Sequence, residues 1–591
     1  MMINSLPPQL LYIASIIPFL LLKGKLSRIF LLIVPVLTFV NLIGMGEDPR
    51  WTLHFLEYEL VFDRVDRLSL LFGYIFLIMA FIGNVFAFHL EKKGEHVAGL
   101  LYVGSSLGVV FAGDFLSLFI FWELMTVSAV YLVFARKRIA SFRAGIRYFF
   151  VHLLGGLFLL IGIIMLVSKT GSAQFSSLTL GSPASYLILL GFGINCAFPL
   201  LHAWVPDSYP EGTITGTIFL SIFTTKTAVY VLARGFPGAD LLIPIGTLMA
   251  VFPIFYAVIE NDLRRVLCYS LINQVGFMVV GIGIGTDLSI NGAVAHAFTN
   301  ILFEGLLFLT LGGIMYRTGK INATDLGGLY KSMPVTAVFC IIGAASISGF
   351  PLFSGFVSKS MIVTASANEH MVVVWFALLF AAAGVFHHAG IKIPFFAFFS
   401  HDSGIRTEEP PMNMMIAMGI AAFLSILIGV SPNLLYDFLP FQVDYHPYTA
   451  AHVIDQLQLL MFSALAFTLL LLSGIYPAEI RAINLDVDWI YRRGVKFFMK
   501  YILLMLQETA KTVDRVFHLL VPSFLSRAPE NLILFAHRFS VFLGVTSRLP
   551  GNPEEKRSIK RPVSARRPVG ETVFWITIFL AASLFTFLTR T

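Results

Sequence analysis

Charge is what this sequence has least of. Of its 591 residues only 13% are Asp, Glu, Lys or Arg, while 57% are hydrophobic, which excludes an ordinary water-soluble domain. Cysteine is nearly absent as well. Cys196, Cys268 and Cys340 each lie in an apolar segment without pairing or CxxC spacing, so neither a disulfide framework nor a metal or iron–sulfur site is supported. No signature for NADH, flavin, quinone or metal is recognisable and no nucleophile constellation appears, so no cofactor is expected and the chain by itself should oxidise nothing. The opening segment LPPQLLYIASIIPFLLLKGK lacks a positive n-region and a small-residue cleavage site and reads as a retained span. The net charge of +7 fits basic loops facing anionic lipid better than it fits nucleic acid.

What the sequence has is a succession of uninterrupted apolar stretches, each about 17 to 25 residues long and able to cross the hydrocarbon as a helix. Their continuity, without alternation, argues for helices over a barrel. Spans are predicted near residues 8–22, 28–45, 67–90, 97–112, 114–134, 142–168, 184–204, 213–234, 240–259, 265–285, 289–315, 334–365, 370–399, 411–430, 455–475 and 572–590. The short basic loops KGKLSR, EKKGEH, ARKRIASFR, ENDLRR and RTGK fall on one side if the spans alternate. The positive-inside rule makes that side the cytoplasm and puts both termini outside.

Two spans carry helix breakers. LLHAWVPDSYPEGTITG holds Pro206, Pro210 and Gly212, and SISGFPLFSGFVSKS holds Gly349, Pro351 and Gly355. The two groups stand about 145 residues apart in comparable contexts, as an internal repeat would place them, and broken helices expose backbone dipoles at mid-membrane. Kinked packing helices are the alternative. Beyond residue 480, DWIYRRGVKFFMKYILLMLQETAKTVDRVF sets Arg492, Lys496 and Lys500 opposite Phe497, Tyr501 and Leu504, an amphipathic pattern expected to lie along the interface. GNPEEKRSIKRPVSARRPVG reads as a basic linker to the last span.

Ionisable residues inside such spans are expensive and usually have a task. Glu123 in FIFWELMTV, Lys226 in FTTKTAVYV, Glu304 in FTNILFEGLLFL and Lys359 in SGFVSKSM are the leading candidates. His296, Asn300 and Glu304 follow at i, i+4 and i+8 and form a polar stripe on one helix face. His152, His202, His387, His388 and Lys392 are secondary candidates. For each, a buried packing or ion-pair role is the alternative to proton transfer.

The segments FWELMT, HAWVPDSYPEGTITGTIFLSIFTTKTAVYVLARG, HAFTNILFEGLLFL and SGFPLFSGFVSK resemble the antiporter-like subunit family. That family includes the D-type members of Mrp cation/proton antiporters and the proton-pumping membrane subunits of complex I and membrane-bound hydrogenases. The resemblance covers about residues 60–475, and YPAEIRAINLDVDWIYRRG is similar to long D-type Mrp chains. It implies two inverted five-helix repeats whose half-channels meet on a central hydrophilic axis. It also implies that Glu123, Lys226, His296 and Lys359 occupy the family's functional positions. Two positions depart from the family pattern: Asn195 stands where a seventh-helix lysine is usual, and Glu304 replaces a lysine, with Asn300 where a second histidine is common. With Asn195 neutral, Lys226 is the nearest remaining partner for Glu123, and the order Glu123, Lys226, Glu304, Lys359 alternates in sign.

The expected fold is therefore an all-α polytopic membrane protein of about 14 core helices, with an amphipathic helix and a further C-terminal span. The expected divisions are residues 1–95 (N-terminal helices), 96–236 and 237–400 (the repeats), 401–480 (C-terminal core helices), 481–550 (amphipathic region), 551–570 (linker) and 571–591 (last span). The resemblance implies a transport subunit of the cytoplasmic membrane that moves protons and Na+ beside other membrane subunits. A proton-pumping subunit of a redox complex and a non-conducting scaffold are the alternatives.

Overall fold

The computed structural model describes residues 6–46, 51–55, 57–477, 479–482 and 484–515. The apolar stretches are helical, as hydrocarbon requires when each segment must satisfy its own backbone groups. Among the described residues, 12 helices are long and apolar enough to cross a membrane, with shorter apolar helices at Pro8–Leu21, Pro183–Asn195 and Pro334–Ser348. The first fifteen predicted spans each fall on helix. The span near 572–590, the linker 551–570 and the amphipathic region beyond residue 515 lie outside the described residues.

The chain opens with α1 (Pro8–Ala14), α2 (Ile16–Leu21) and α3 (Gly24–Ile43), then a hairpin of β1 (Thr52–Phe55) and β2 (Tyr58–Val61), then α4 (Arg67–Phe86). The hairpin's two four-residue strands leave the fold all-α, as expected. Their register pairs Thr52 with Val61 and Phe55 with Tyr58, across a short polar-apolar alternation too brief to register beside the long spans. A first set follows: α5 (Lys93–Phe111), α6 (Phe115–Phe134), α7 (Ile139–Thr170), α8 (Pro183–Asn195) with α9 (Trp204–Ser208), and α10 (Ile214–Ile222) with α11 (Thr224–Gly235). The second set is α12 (Leu242–Ile259), α13 (Leu263–Ile284), α14 (Asp287–Thr318), α15 (Pro334–Ser348) with α16 (Ser354–Asn368), and α17 (Val372–Val385) running on through α18 (Lys392–Pro394). Then come α19 (Met412–Val430), α20 (Asn433–Tyr436), α21 (Ala450–Leu472) and α22 (Asp488–Arg515).

Polar contacts gather the five basic loops on one face. Arg28 Nη1 donates to Phe88 O at 3.3 Å, Thr213 Oγ1 to Glu95 Oε2 at 2.8 Å, and Arg264 Nη2 to Tyr209 O at 3.1 Å. Arg136 pairs with Glu211 at 3.6 Å, and Asp262 bridges to Asn322. The opposite face is tied by the Asp114–Gln174 bridge and by Leu178 N to Gly235 O and Gly238 N to Ile282 O. The first set therefore starts at the basic-loop face and the second at the opposite one, each crossing five times. The two sets are inverted.

The fourth crossing of each set is broken. In the first, the reversal lies between α8 and α9, where Ala197 and Leu200 take φ of 62° and 71°, a left-handed conformation uncommon for residues with a Cβ. This corrects the expectation from Pro206 and Pro210. Pro206 sits in the first turn of α9, where no helical hydrogen bond is lost, and Pro210 lies in the turn Tyr209–Glu211. In the second, Gly349 and Leu352 have φ of 77° and 74°, at the predicted place. The fifth crossings are interrupted too, which the sequence did not reveal: at Phe223 between α10 and α11, and by π-helical turns Phe386–Ile391 and Phe395–Phe399 around α18, a deformation found mostly at functional sites.

By contact the chain divides into two units, Met1–Gly494 and Val495–Thr591. Both crossing sets and the segment Tyr476–Arg492 belong to the first. Within it, α12 and α13 approach so closely that a Cβ on Gly276 would lie 2.4 Å from Ala250 N, the small-residue packing by which membrane helices associate.

Candidate functional site

In the first set, α6 carries Glu123 toward α7, where the bare backbone of Gly156 makes room for it. A Cβ at that position would stand 1.9 Å from Glu123 Oε1. That oxygen is buried without a hydrogen-bond partner among the described residues, as are both amide atoms of Asn195 at the end of α8. His152, one turn before Gly156 on α7, is fully buried. Its ring stacks on Tyr148 at 3.8 Å and meets Trp204 edge-on at 4.4 Å. Nδ1 is 2.9 Å from Tyr148 O, and Nε2 has no partner among the described residues. The Tyr148 hydroxyl lies 3.2 Å from Thr224 Oγ1, and Thr224 N donates to Tyr102 Oη at 3.1 Å. This hydroxyl string reaches the start of α11, two residues before Lys226.

At the centre, the interruption at Phe223 leaves Ser221 O free of its helical donor, and Lys226 Nζ donates to it at 2.9 Å. The same ammonium is 3.5 Å from Glu304 Oε2 on α14, with side-chain exposures of 0% and 1%. One ion pair thus joins the fifth crossing of the first set to the third crossing of the second. This corrects the expected pairing of Lys226 with Glu123. Among the described residues no ion pair reaches Glu123, because Lys226 turns toward the other repeat. Glu304 Oε1 and both amide atoms of Asn300 have no hydrogen-bond partner among the described residues, nor do Thr225 Oγ1 and Thr227 Oγ1 beside Lys226.

In the second set, His296 lies between two polar partners: Nδ1 is 3.1 Å from Ser358 Oγ and Nε2 is 3.1 Å from Gln274 Oε1. Gln274 Nε2 donates to Asn273 Oδ1 at 2.8 Å, so its carbonyl faces the ring and Nε2 carries the imidazole proton. Thr299 Oγ1 lies 2.7 Å from Ser358 Oγ. Lys359, past the second break, donates to Ile347 O at 2.8 Å, and its ammonium sits 5.2 Å above the Phe277 ring. The break releases the carbonyl that holds the lysine. Asn273, Gln274, Thr299 and Ser358 do not stand out in the sequence, since isolated small polar residues in apolar spans carry no distinguishing pattern.

The remaining candidates sit nearer the basic-loop face. His202 Nε2 is 3.1 Å from Asp486 Oδ1, and Tyr269 Oη donates to the same carboxylate at 2.9 Å. Lys392 Nζ reaches Val258 O at 2.6 Å, Glu260 O at 2.7 Å, Ala257 O at 3.3 Å and Glu479 Oε1 at 2.8 Å. It thereby caps the carbonyl end of α12, where a cation is favoured. His387 packs against Phe467 and Tyr476, and neither ring nitrogen of His388 has a partner among the described residues. Glu479 and Asp486 do not stand out in the sequence, because YPAEIRAINLDVDW also holds Arg481 and Asp488 and reads as an ordinary charged connection. Among the described residues no three His, Cys, Asp or Glu side chains converge as a metal site would require.

The fold and this chain of groups define a polytopic helical membrane protein in which a buried polar axis links two inverted, broken-helix repeats. Residues 112–386 match the family described as NADH:quinone oxidoreductase/Mrp antiporter, TM, a stretch that holds Glu123, Lys226, His296, Glu304 and Lys359. Among curated proteins the chain is 29% identical over 496 residues to the A-type subunit of the Na(+)/H(+) antiporter of Alkalihalophilus pseudofirmus, covering 72% of this chain and 60% of that one. It is 25% identical over 420 residues to hydrogenase-4 component B of Escherichia coli, covering 63% of this chain and 62% of that one. The chain thus spans less than two thirds of either relative. Its fold is similar to that of a chain in the Mrp complex from a Dietzia species, with a TM-score of 0.75 at 21% identity over 94% of this chain and 64% of the other.

Proposed function

We propose that this chain is an ion-translocating membrane subunit of a multisubunit Mrp-like cation/proton antiporter, passing protons along its buried axis in exchange for Na+ in the cytoplasmic membrane. The observation that carries the reading is the Lys226–Glu304 ion pair across the repeats at 3.5 Å. A pair so enclosed is an unfavourable way to hold helices together, since desolvation offsets most of its attraction, whereas a pair that gains or loses a proton can switch two half-paths. The family match over residues 112–386 and the antiporter relative support the Mrp class. The finer reading as a D-type Mrp chain rests on the segment YPAEIRAINLDVDWIYRRG alone. The partners are other membrane subunits of such an assembly, and the chain acts as a transport subunit without chemistry of its own.

The likeness to hydrogenase-4 component B favours a second reading, a proton-pumping membrane subunit of a redox complex. Purifying the tagged full chain with its partners separates the two. Small membrane subunits and Na+-dependent collapse of a pH gradient in everted vesicles are expected; flavin or iron–sulfur chains among the partners would overturn the antiporter reading. Wild-type exchange by an assembled Glu304→Gln complex would instead reduce the chain to a scaffold.

A further inference from the structure

On the basic-loop face, a cleft of about 350 Å³ is lined by Thr324, Phe396, His401, Tyr476 and Glu479 among others. His401, at its rim, is exposed. The Glu479 side chain is only 8% exposed, yet it reaches inward: Oε1 meets the Lys392 ammonium at 2.8 Å, and Oε2 is buried with no hydrogen-bond partner among the described residues. Lys392 has four oxygens around it, Glu479 and the carbonyls of Ala257, Val258 and Glu260, but an ammonium has three protons to donate. One oxygen is always under-supplied. Glu479 is the only one of the four that can take up a proton itself.

More unpartnered polar atoms cluster here. The Tyr476 hydroxyl, His387 Nε2, and Nδ1 and Nε2 of His388 are all buried without a partner among the described residues. The Tyr476 ring, which lines the cleft, stands edge-on to His387 with centroids 5.5 Å apart. Both histidines and Lys392 lie on the π-deformed part of the second repeat's fifth crossing, the counterpart of the interruption that carries Lys226. A cleft this roomy, with Thr324, His401, Tyr476 and Glu479 on its wall, accommodates water. A second carboxylate beside Lys392 is that of Glu260, which accepts from Asn484 Nδ2 at 3.1 Å and has the same sign as Glu479.

We propose that Glu479 is a proton port. It takes protons from water in the cleft and passes them to His387 and His388, so that the second repeat has its own access to the basic-loop face. A proton arriving from the cleft neutralises the Glu479 carboxylate and frees Lys392 from its fourth oxygen. Its onward transfer through water to an imidazole nitrogen restores the carboxylate and the ion pair. No electron moves and no bond other than those to the proton changes. The port rests on the transport reading above and adds an entrance to it.

The test uses the full chain in its assembled complex, in everted vesicles, with a pH-gradient dye and added NaCl. Glu479→Gln is expected to lower the initial exchange rate at least tenfold, and Glu479→Asp to recover a large part of it. If Glu479 only balances Lys392, Glu479→Gln should fail to assemble, while Glu479→Gln/Lys392→Met, which carries no buried charge, should assemble and exchange normally. That result overturns the port, as does a neutral pair that still fails to assemble. An assembled double variant without exchange supports it. Glu304→Gln run in parallel separates the two readings: if it is inactive while Glu479→Gln exchanges normally, the port is wrong and the transport function stands. If both variants exchange at the wild-type rate, the transport function itself falls.

Discussion

Lys226 and Glu304 stand 3.5 Å apart with almost no access to solvent, and Coulomb's law at an effective dielectric of about 20 makes their attraction about 5 kcal/mol. Breaking such a pair from one side costs about 3–5 kcal/mol, because the remaining charge stays buried, whereas replacing both partners is close to neutral. The two sides are not equivalent here. Lys226→Met strands a carboxylate whose Oε1 already lacks a partner among the described residues, so the full loss is expected. Glu304→Gln keeps an amide oxygen near the ammonium, which also retains Ser221 O at 2.9 Å, so the loss should be nearer the 1.5–3 kcal/mol of about one charge-assisted hydrogen bond. The double variant Lys226→Met/Glu304→Gln should return to within about 1 kcal/mol of wild type. Unfolding of a membrane complex is not two-state, so the assay is the midpoint of heat-induced loss of the assembled species. The expected order is Lys226→Met lowest, Glu304→Gln intermediate, and the double variant beside wild type. Sodium-dependent proton movement should be abolished in all three. A double variant no more stable than Lys226→Met, or one that exchanges normally, would refute the pair as both energetic unit and relay.

Gly156→Ala should leave assembly nearly intact, at about 1 kcal/mol for overpacking. The obstructed atom is the tip of Glu123, 1.9 Å from the new Cβ, so exchange should fall at least tenfold; an unchanged rate in vesicles would remove Glu123 from the path. Asp486 anchors the segment Tyr476–Arg492 through His202. Burial alone would raise its pKa, but the hydrogen bond and charge of His202, with Val487 N–H and Tyr269, outweigh that and hold it below the usual value. A carboxylate lowered on folding stabilises fully above the unfolded pKa of about 4 and loses that contribution as pH falls through the folded value. Protease cleavage within 476–492 should therefore be slow at neutral pH and rise only in strong acid, whereas Asp486→Asn should be cleaved readily at neutral pH; equal resistance of the variant would contradict the anchor.

Much of this architecture is legible in the sequence because a membrane punishes ambiguity. A stretch such as Phe115–Phe134 has no soluble alternative, and a charge inside it, as at Glu123, stands out against its neighbours. Direction is what the sequence does not carry. On a helix facing several others, spacing places Lys226 in the right span without saying which neighbour it turns to, so the sequence matches it to Glu123 when its ammonium reaches Glu304. The interruptions show the same limit. Gly349 is visible as a breaker, and Pro199 in NCAFPLLHA is one too, but neither says that Ala197 and Leu200 are the residues that take the left-handed conformation. The partner of His202, Asp486, lies 284 residues away, and that of Lys392 is the distant Glu479, separations that no periodicity can bridge.

The pairing also explains why a carboxyl occupies position 304. A lysine there would face the Lys226 ammonium at about 3.5 Å, a repulsion of about 5 kcal/mol at the same effective dielectric, so Glu304→Lys alone should fail to assemble an active complex. Adding Lys226→Glu reverses the pair and restores attraction, but only in part. Residue 226 also binds Ser221 O at 2.9 Å, and a carboxylate facing that carbonyl loses the hydrogen bond, about 1.5 kcal/mol or more. Assembly of Lys226→Glu/Glu304→Lys should therefore recover, while exchange returns to roughly a tenth of wild type, the factor that 1.4 kcal/mol represents. With Asn195 neutral, the axis residues Glu123, Lys226, Glu304 and Lys359 sum to zero charge, and the swap preserves that sum. An active Glu304→Lys single variant, or a charge-swapped complex that remains unassembled, would show that charge balance along the axis is not what set this residue.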